Sequence, residues 1–130
     1  MPAVDTNVLV RLLTGDDARQ ASAAESFVER NGPVWVPLVV LVETAWVLES
    51  VYDRSRGEIA AAVETLLDHA DFVVQDADAV AKAVVEFKAR SGVGFSDCVV
   101  LETVRKASQL PLATFDRNLS SLSGALHLKR

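Results

Sequence analysis

Short apolar runs separated by longer helical patterns constrain this chain more than anything else in it. Val34-Trp35-Val36, Phe72-Val73-Val74 and Leu112-Ala113-Thr114-Phe115 are β-favouring stretches of three or four residues. Ala3-Val4, ending at Asp5, and Ala125-Leu126-His127-Leu128 are two further candidates. The intervening segments carry apolar residues at helical spacing. Ala21, Ala24, Phe27 and Val28 follow Asp16 or Asp17 as a cap, and Asn31-Gly32-Pro33 stops that helix. Pro37 suits the first turn of a helix running to about Val51. Ser55 and Glu58 form a capping box before Ile59, Val63, Leu66 and Leu67. Asp76 is the expected cap of a helix with Val80, Ala81, Val84 and Phe87 on one face, ended by Ser91-Gly92. A last long helix covers about Phe95 to Ala107, with Val99, Val100, Leu101 and Val104. Strands that alternate with helices predict an α/β fold, with a parallel sheet of about five short strands between two helical layers.

The chain has 130 residues, the size of one domain, so a single domain over residues 1–130 is expected. Half its residues are hydrophobic, enough for a real core. The formal charge of −5 argues against general polyanion binding, because phosphate contacts need positive charge. An acidic cluster that holds cations would lessen that objection. One cysteine, Cys98, excludes an internal disulfide and a thiolate zinc site. His69 and His127 are too few for a histidine-rich site, and structural roles are expected for both. The opening residues MPAVDTN lack the basic region of a secretory signal, and the apolar stretch VPLVVLVETAWVL is too short for a membrane span. A cytoplasmic protein with no membrane partner is the expectation. Trp46 and the leucines near it could form a dimer surface, but an apolar stripe at helical spacing makes core packing the expectation.

Ligands of open α/β sheets bind beyond the carboxyl ends of the strands. Asp5 closes the first strand candidate and Asp116 the fourth. Glu43 lies about two turns into the helix after the second, and Asp97 opens the helix before the fourth. Each has a structural role open to it: a turn for Asp5, a helix cap for Asp116, a helix-start charge for Asp97, a solvent-facing position for Glu43. Four such coincidences at compatible places point instead to one acidic site. Crowded carboxylates repel unless cations intervene, and hard oxygen donors without thiolate or imidazole suit Mg²⁺ or Mn²⁺.

The run Val4-Asp5-Thr6-Asn7-Val8-Leu9-Val10-Arg11-Leu12-Leu13 resembles the opening of PIN-domain ribonucleases. The segment around Glu43, Phe95-Ser96-Asp97 and Thr114-Phe115-Asp116 are similar to that family's other acidic motifs, in order, across the whole chain. A compact domain of this length most resembles the toxins of VapBC-type toxin–antitoxin modules. The resemblance implies metal-dependent endonucleolytic cleavage of RNA by metal-activated water. It makes Asp5, Glu43, Asp97 and Asp116 the catalytic and metal-binding acids for one or two Mg²⁺ or Mn²⁺ ions, with Asn7 and Thr114 in support. It also implies a small antitoxin partner and a homodimer. Cys98 and Leu119 depart from the family pattern, at positions that bear on packing. Arg11, Arg54, Arg56 and Arg117 are candidate RNA contacts. Two alternatives stand beside this. A catalytically idle PIN-like domain would bind RNA or a partner and cut nothing. A phosphoacceptor signalling module would need paired acids at the first strand and a lysine at the last, where this chain has Asp5 alone and only Lys129 near the terminus.

Overall fold

The computed structural model describes residues 1–130 as seven helices and four short strands. They fall into two compact units, Met1–Ala77 and Asp78–Arg130.

In the first unit, Asp5 caps helix α1 (Thr6–Thr14), and Gly15 ends it at φ 66°, its N–H donating to the Arg11 carbonyl at 2.9 Å. That left-handed turn costs glycine little and other residues more. This helix has no counterpart in the sequence reading. Asp17, the second of the two candidate caps, starts α2 (Ala18–Asn31) by accepting from the Gln20 N–H. Asp16 instead accepts from Arg11, Tyr52 and Thr14. Strand β1 (Val34–Val36) leads into α3 (Leu38–Ser50). Pro37 offers no side-chain cap there, and Gln75 Oε1 accepts the Leu38 N–H in its place, at 2.8 Å. Helix α4 (Arg56–Asp68) opens with the expected Ser55–Glu58 capping box, and β2 (Phe72–Val74) follows.

β1 is hydrogen-bonded on both sides. It pairs in parallel with β2, Val34 opposite Phe72 and Val36 opposite Val74. Its other edge meets the first strand candidate through a single parallel bridge, Ala3 to Trp35. This central position explains why Val34 and Val36 are fully buried. Leu9, Leu41, Leu48, Ile59, Val63 and Leu66 complete the core of this unit.

The second unit holds α5 (Ala77–Ala89, with its first residue in the other unit), α6 (Phe95–Lys106), β3 (Leu112–Thr114), the single turn α7 (Arg117–Ser120) and β4 (Ala125–His127). Phe87 and Phe95 pack edge to face with ring centres 5.6 Å apart. β3 and β4 are parallel, Leu112 opposite Ala125 and Thr114 opposite His127. Gly124 sits at φ 95°, and a Cβ there would lie 3.0 Å from Leu110 Cδ2, so conformation and space both call for glycine.

Every strand candidate is therefore found at its place, but hydrogen bonding joins them as two pairs and a bridge rather than one sheet of five. Two other details differ. Asp76 takes φ 50°, outside the extended conformation of an ordinary N-cap. Ala81 is exposed, and Ala79 and Ala83 are the alanines buried with Val80, Val84 and Phe87. No helix is long and apolar enough to cross a membrane.

Candidate functional site

Asp5 lies two residues beyond the Ala3 bridge, and its Oδ1 accepts the Val8 N–H at 3.1 Å. The side chain thus serves α1 with one oxygen and is otherwise exposed. Asn7, exposed in the first turn of α1, and Arg11 line an open cavity of about 720 Å³ with Asp5, closed on its far side by Ala23, Ala24 and Phe27 of α2. Glu43 stands on the exposed face of α3, since Leu41, Thr44, Ala45 and Leu48 are the buried residues of that helix. Its carboxylate keeps its water, which answers how an acid is accommodated in so apolar a stretch. Val39 and Trp46, one turn before and after it, are 79% and 64% exposed. Trp46 is therefore a surface residue and not part of the core. Because the strands are parallel, Asp5 and the start of α3 both follow strand carboxyl ends, the edge where such folds bind ligands.

In the second unit, Asp97 is the third residue of α6 and half-buried. Asp116 caps α7, its Oδ1 accepting the Leu119 N–H at 2.9 Å. Thr114 Oγ1 accepts the Asp116 N–H at 2.9 Å, so the threonine fixes the backbone of the acid it precedes by two. Leu119 is buried, anchoring the turn that Asp116 caps. Burial, and secondarily the negative charge of Asp116, push the Asp97 carboxyl above its ordinary range. The charge of Asp116 is therefore felt at Asp97.

Among the candidate basic residues, Arg11 is committed to Gln20, Asp16 and Tyr52 at 2.7–3.0 Å. Arg54 pairs with Glu58 at 3.5 Å, and Arg56 is half-buried at the start of α4. Arg117 is exposed and lines a second open cavity, about 750 Å³, with Phe115, His127, Leu128, Lys129 and Arg130. Apart from Arg117, none of those lining residues was singled out from the sequence as an RNA contact. The signal was available in the adjacent pair Lys129-Arg130, but the parallel pairing that brings it to Phe115 was not. Cys98 is fully buried, as befits an inert thiol.

No group of three or more His, Cys, Asp or Glu side chains is drawn together tightly enough to hold a metal ion by itself. The Asp97–Asp116 pair nevertheless suits one. Mg²⁺ is commonly held by one or two carboxylates with water completing its shell, and a cation beside the pair would remove the repulsion that Asp97 bears.

Comparison with known proteins bears on the family of the chain. A family model described as "PIN domain" matches residues 3–125, across both units. The chain is 27% identical over 125 residues to a protein named "VapC ribonuclease" from Aquifex aeolicus (strain VF5), a match that covers 94% of this chain and 92% of that protein. No solved structure gives a significant match. With nearly its whole length matched, this chain belongs to the PIN-domain family.

Proposed function

We propose that this protein is a Mg²⁺- or Mn²⁺-dependent endoribonuclease, the toxin of a toxin–antitoxin pair, with residues 1–130 working as one domain. The observation that carries the chemistry is Asp97, half-buried and set against the charge of Asp116 with its carboxyl pushed upward. A cation beside the pair would relieve that repulsion, so the setting suits a ligand carboxylate. The relative named as a ribonuclease, similar over almost all of both chains, supports the choice of RNA.

Asp5, Glu43, Asp97 and Asp116 are the catalytic acids of this reading. Asp97 and Asp116, with Asp5 and Glu43, would hold the ion or ions. A divalent cation supplies Lewis acidity when bound, lowering the pKa of water and stabilising charge at phosphorus. The protein's own part is orientation. Asp5 and Asp116 are each held by one backbone N–H through one oxygen, which leaves the other oxygen open to a ligand. Thr114 fixes the backbone of Asp116. Asn7, exposed two residues after Asp5, is a candidate to bind substrate. Water attacks phosphorus in line, the bond to the 3′ oxygen breaks, and the products carry 5′-phosphate and 3′-hydroxyl ends. Single strands and loops are the accessible substrates. The cytoplasm is the expected place of action. The exposed Val39 and Trp46 support protein–protein contact on α3, with a second copy or a small antitoxin.

Asp5→Asn is the decisive variant. Asparagine caps helices as well as aspartate does, so stability should change by less than about 0.5 kcal/mol. Cleavage of purified RNA with added Mn²⁺ should fall more than about 100-fold, since even groups that merely support a ligand cost 10–100-fold. Cleavage by this variant at the wild-type rate would remove Asp5 from the site. A wild-type protein that leaves RNA intact with either metal would favour the idle, binding-only alternative.

A further inference from the structure

The acidic charge of the chain is unevenly divided. Residues 1–77 hold five Lys and Arg against 13 Asp and Glu, a formal −8. Residues 78–130 hold eight against five, a formal +3. A polyanion is therefore favoured by the second unit and repelled by the first. Within the second unit, Lys106 is paired with Asp78 and Arg105 with Glu102. Arg117, Lys129 and Arg130 instead line the open cavity beside β4, together with His127 and Phe115.

Phe115 is the unusual member. The other two aromatic residues of this unit, Phe87 and Phe95, are 3% and 5% exposed and packed on each other. Phe115 is 58% exposed and lies between Thr114 and Asp116 in sequence. Its backbone is held from both sides. The Leu128 N–H donates to the Thr114 carbonyl at 2.8 Å, and His127 Nε2 lies 3.2 Å from the Phe115 carbonyl oxygen. An exposed ring on a clamped backbone, ringed by cations, meets the two requirements for binding a single strand: a face for a base and positive charge for its phosphates.

We propose that the cavity lined by Phe115, Arg117, His127, Lys129 and Arg130 is a subsite for single-stranded RNA, with a base stacked on Phe115 and the backbone phosphates on Arg117, Lys129 and Arg130. The proposal rests on the ribonuclease reading above and adds where the strand lies: a nucleotide next to the scissile bond sits on the residue next to Asp116. Stacking tolerates any base, so this subsite selects for strandedness and not for sequence. A protein partner would use the ring for apolar contact and would not need the three cations.

The test is binding of a fluorescently labelled 12-nucleotide single-stranded RNA to the full chain in EDTA, followed by anisotropy, with RNA cleavage in Mn²⁺ measured separately. Phe115→Ala and Phe115→Leu should each weaken binding roughly ten-fold, and Phe115→Trp should restore it. Lys129→Ala with Arg130→Ala should weaken binding and flatten the slope of log affinity against log salt by about 1.4, two single-strand phosphate contacts' worth. All these side chains are on the surface, and an unchanged Tm in each variant verifies an intact fold. Full affinity in Phe115→Leu would overturn stacking and give the ring to a protein partner. Wild-type affinity and salt slope in the double variant, or no binding by the wild type, would overturn the subsite. Failure of the two readings is distinguishable: a wild type that binds but does not cut would sink the nuclease and spare the subsite, and unchanged binding by the variants of an active enzyme would do the reverse.

Discussion

A carboxyl group that loses water on burial and faces a second carboxylate is more easily kept protonated than charged. Asp97 is so placed, with burial the larger cause and Asp116 the smaller. Because its folded-state pKa lies above the ordinary 3.8, it supports folding below that value and loses that support as the pH rises through the folded-state pKa. At pH 7 in EDTA, Asp97→Asn should therefore melt at a higher temperature than the wild type, with the gap closing towards pH 4. Mn²⁺ should reverse the order, raising the wild-type Tm more than the variant's. Differential scanning fluorimetry measures both. A variant that melts lower in EDTA at pH 7 and responds equally to Mn²⁺ would give Asp97 a purely structural role.

Helices α5 and α6 bring a second pair of acids together. Glu102 of α6 is 3% exposed and receives Arg105 Nε on both oxygens, at 3.3 and 3.2 Å. Glu86 of α5 shares a hydrogen bond with Glu102, and its buried Oε2 has no partner. Burial first, then Glu102, push the Glu86 carboxyl up to about 7, with Arg105 and Arg90 opposing. A protonated Glu86 can donate to Glu102, and a charged one repels it. Stability from this contact is thus complete below about 4.5 and is lost as the pH climbs through about 7. Glu86→Gln, which keeps a donor, should raise the Tm at pH 8 and leave it nearly unchanged at pH 5. A Tm difference independent of pH would refute the shared proton. None of this was legible in the sequence, where Glu86 and Glu102 are two surface-type residues 16 positions apart. The elements themselves were more legible, because short β-branched runs and capping residues signal locally. Helix α1 was not, since Val8-Leu9-Val10-Arg11-Leu12-Leu13 is an apolar run that suits strand or helix equally. Trp46 misled for the opposite reason: α3 carries large apolar residues, Val39 and Trp46, on its exposed face beside Glu43, so apolar spacing did not tell that face from the buried one. Asp5, Asp97 and Asp116 could be singled out as candidates because strand ends and helix starts are local features, whereas the cavity at Phe115 depends on which strands pair.

At the scale of the molecule, charge and apolar surface lie apart in the chain. The basic excess belongs to residues 78–130, while the exposed Val39 and Trp46 flank Glu43 in the acidic first unit. If the second copy proposed above docks on that stripe, the contact is testable. Trp46→Glu should lower the mass seen by sedimentation equilibrium towards 14.0 kDa, while the Tm at low protein concentration stays within about 2 °C, since little of the core is touched. An unchanged mass above that value would move the interface elsewhere. The pairing of β3 with β4 has a last consequence. Only Phe115 to Gly124 link them, ten residues that must turn, climb the length of a strand and start again in the same direction. Parallel neighbours ordinarily need a dozen or more. There is no slack in that return path, so a residue added or deleted within it would shift the register that brings His127 opposite Thr114. The stretch bearing Asp116 is accordingly the part of this chain least free to change its length, however freely its surface letters vary.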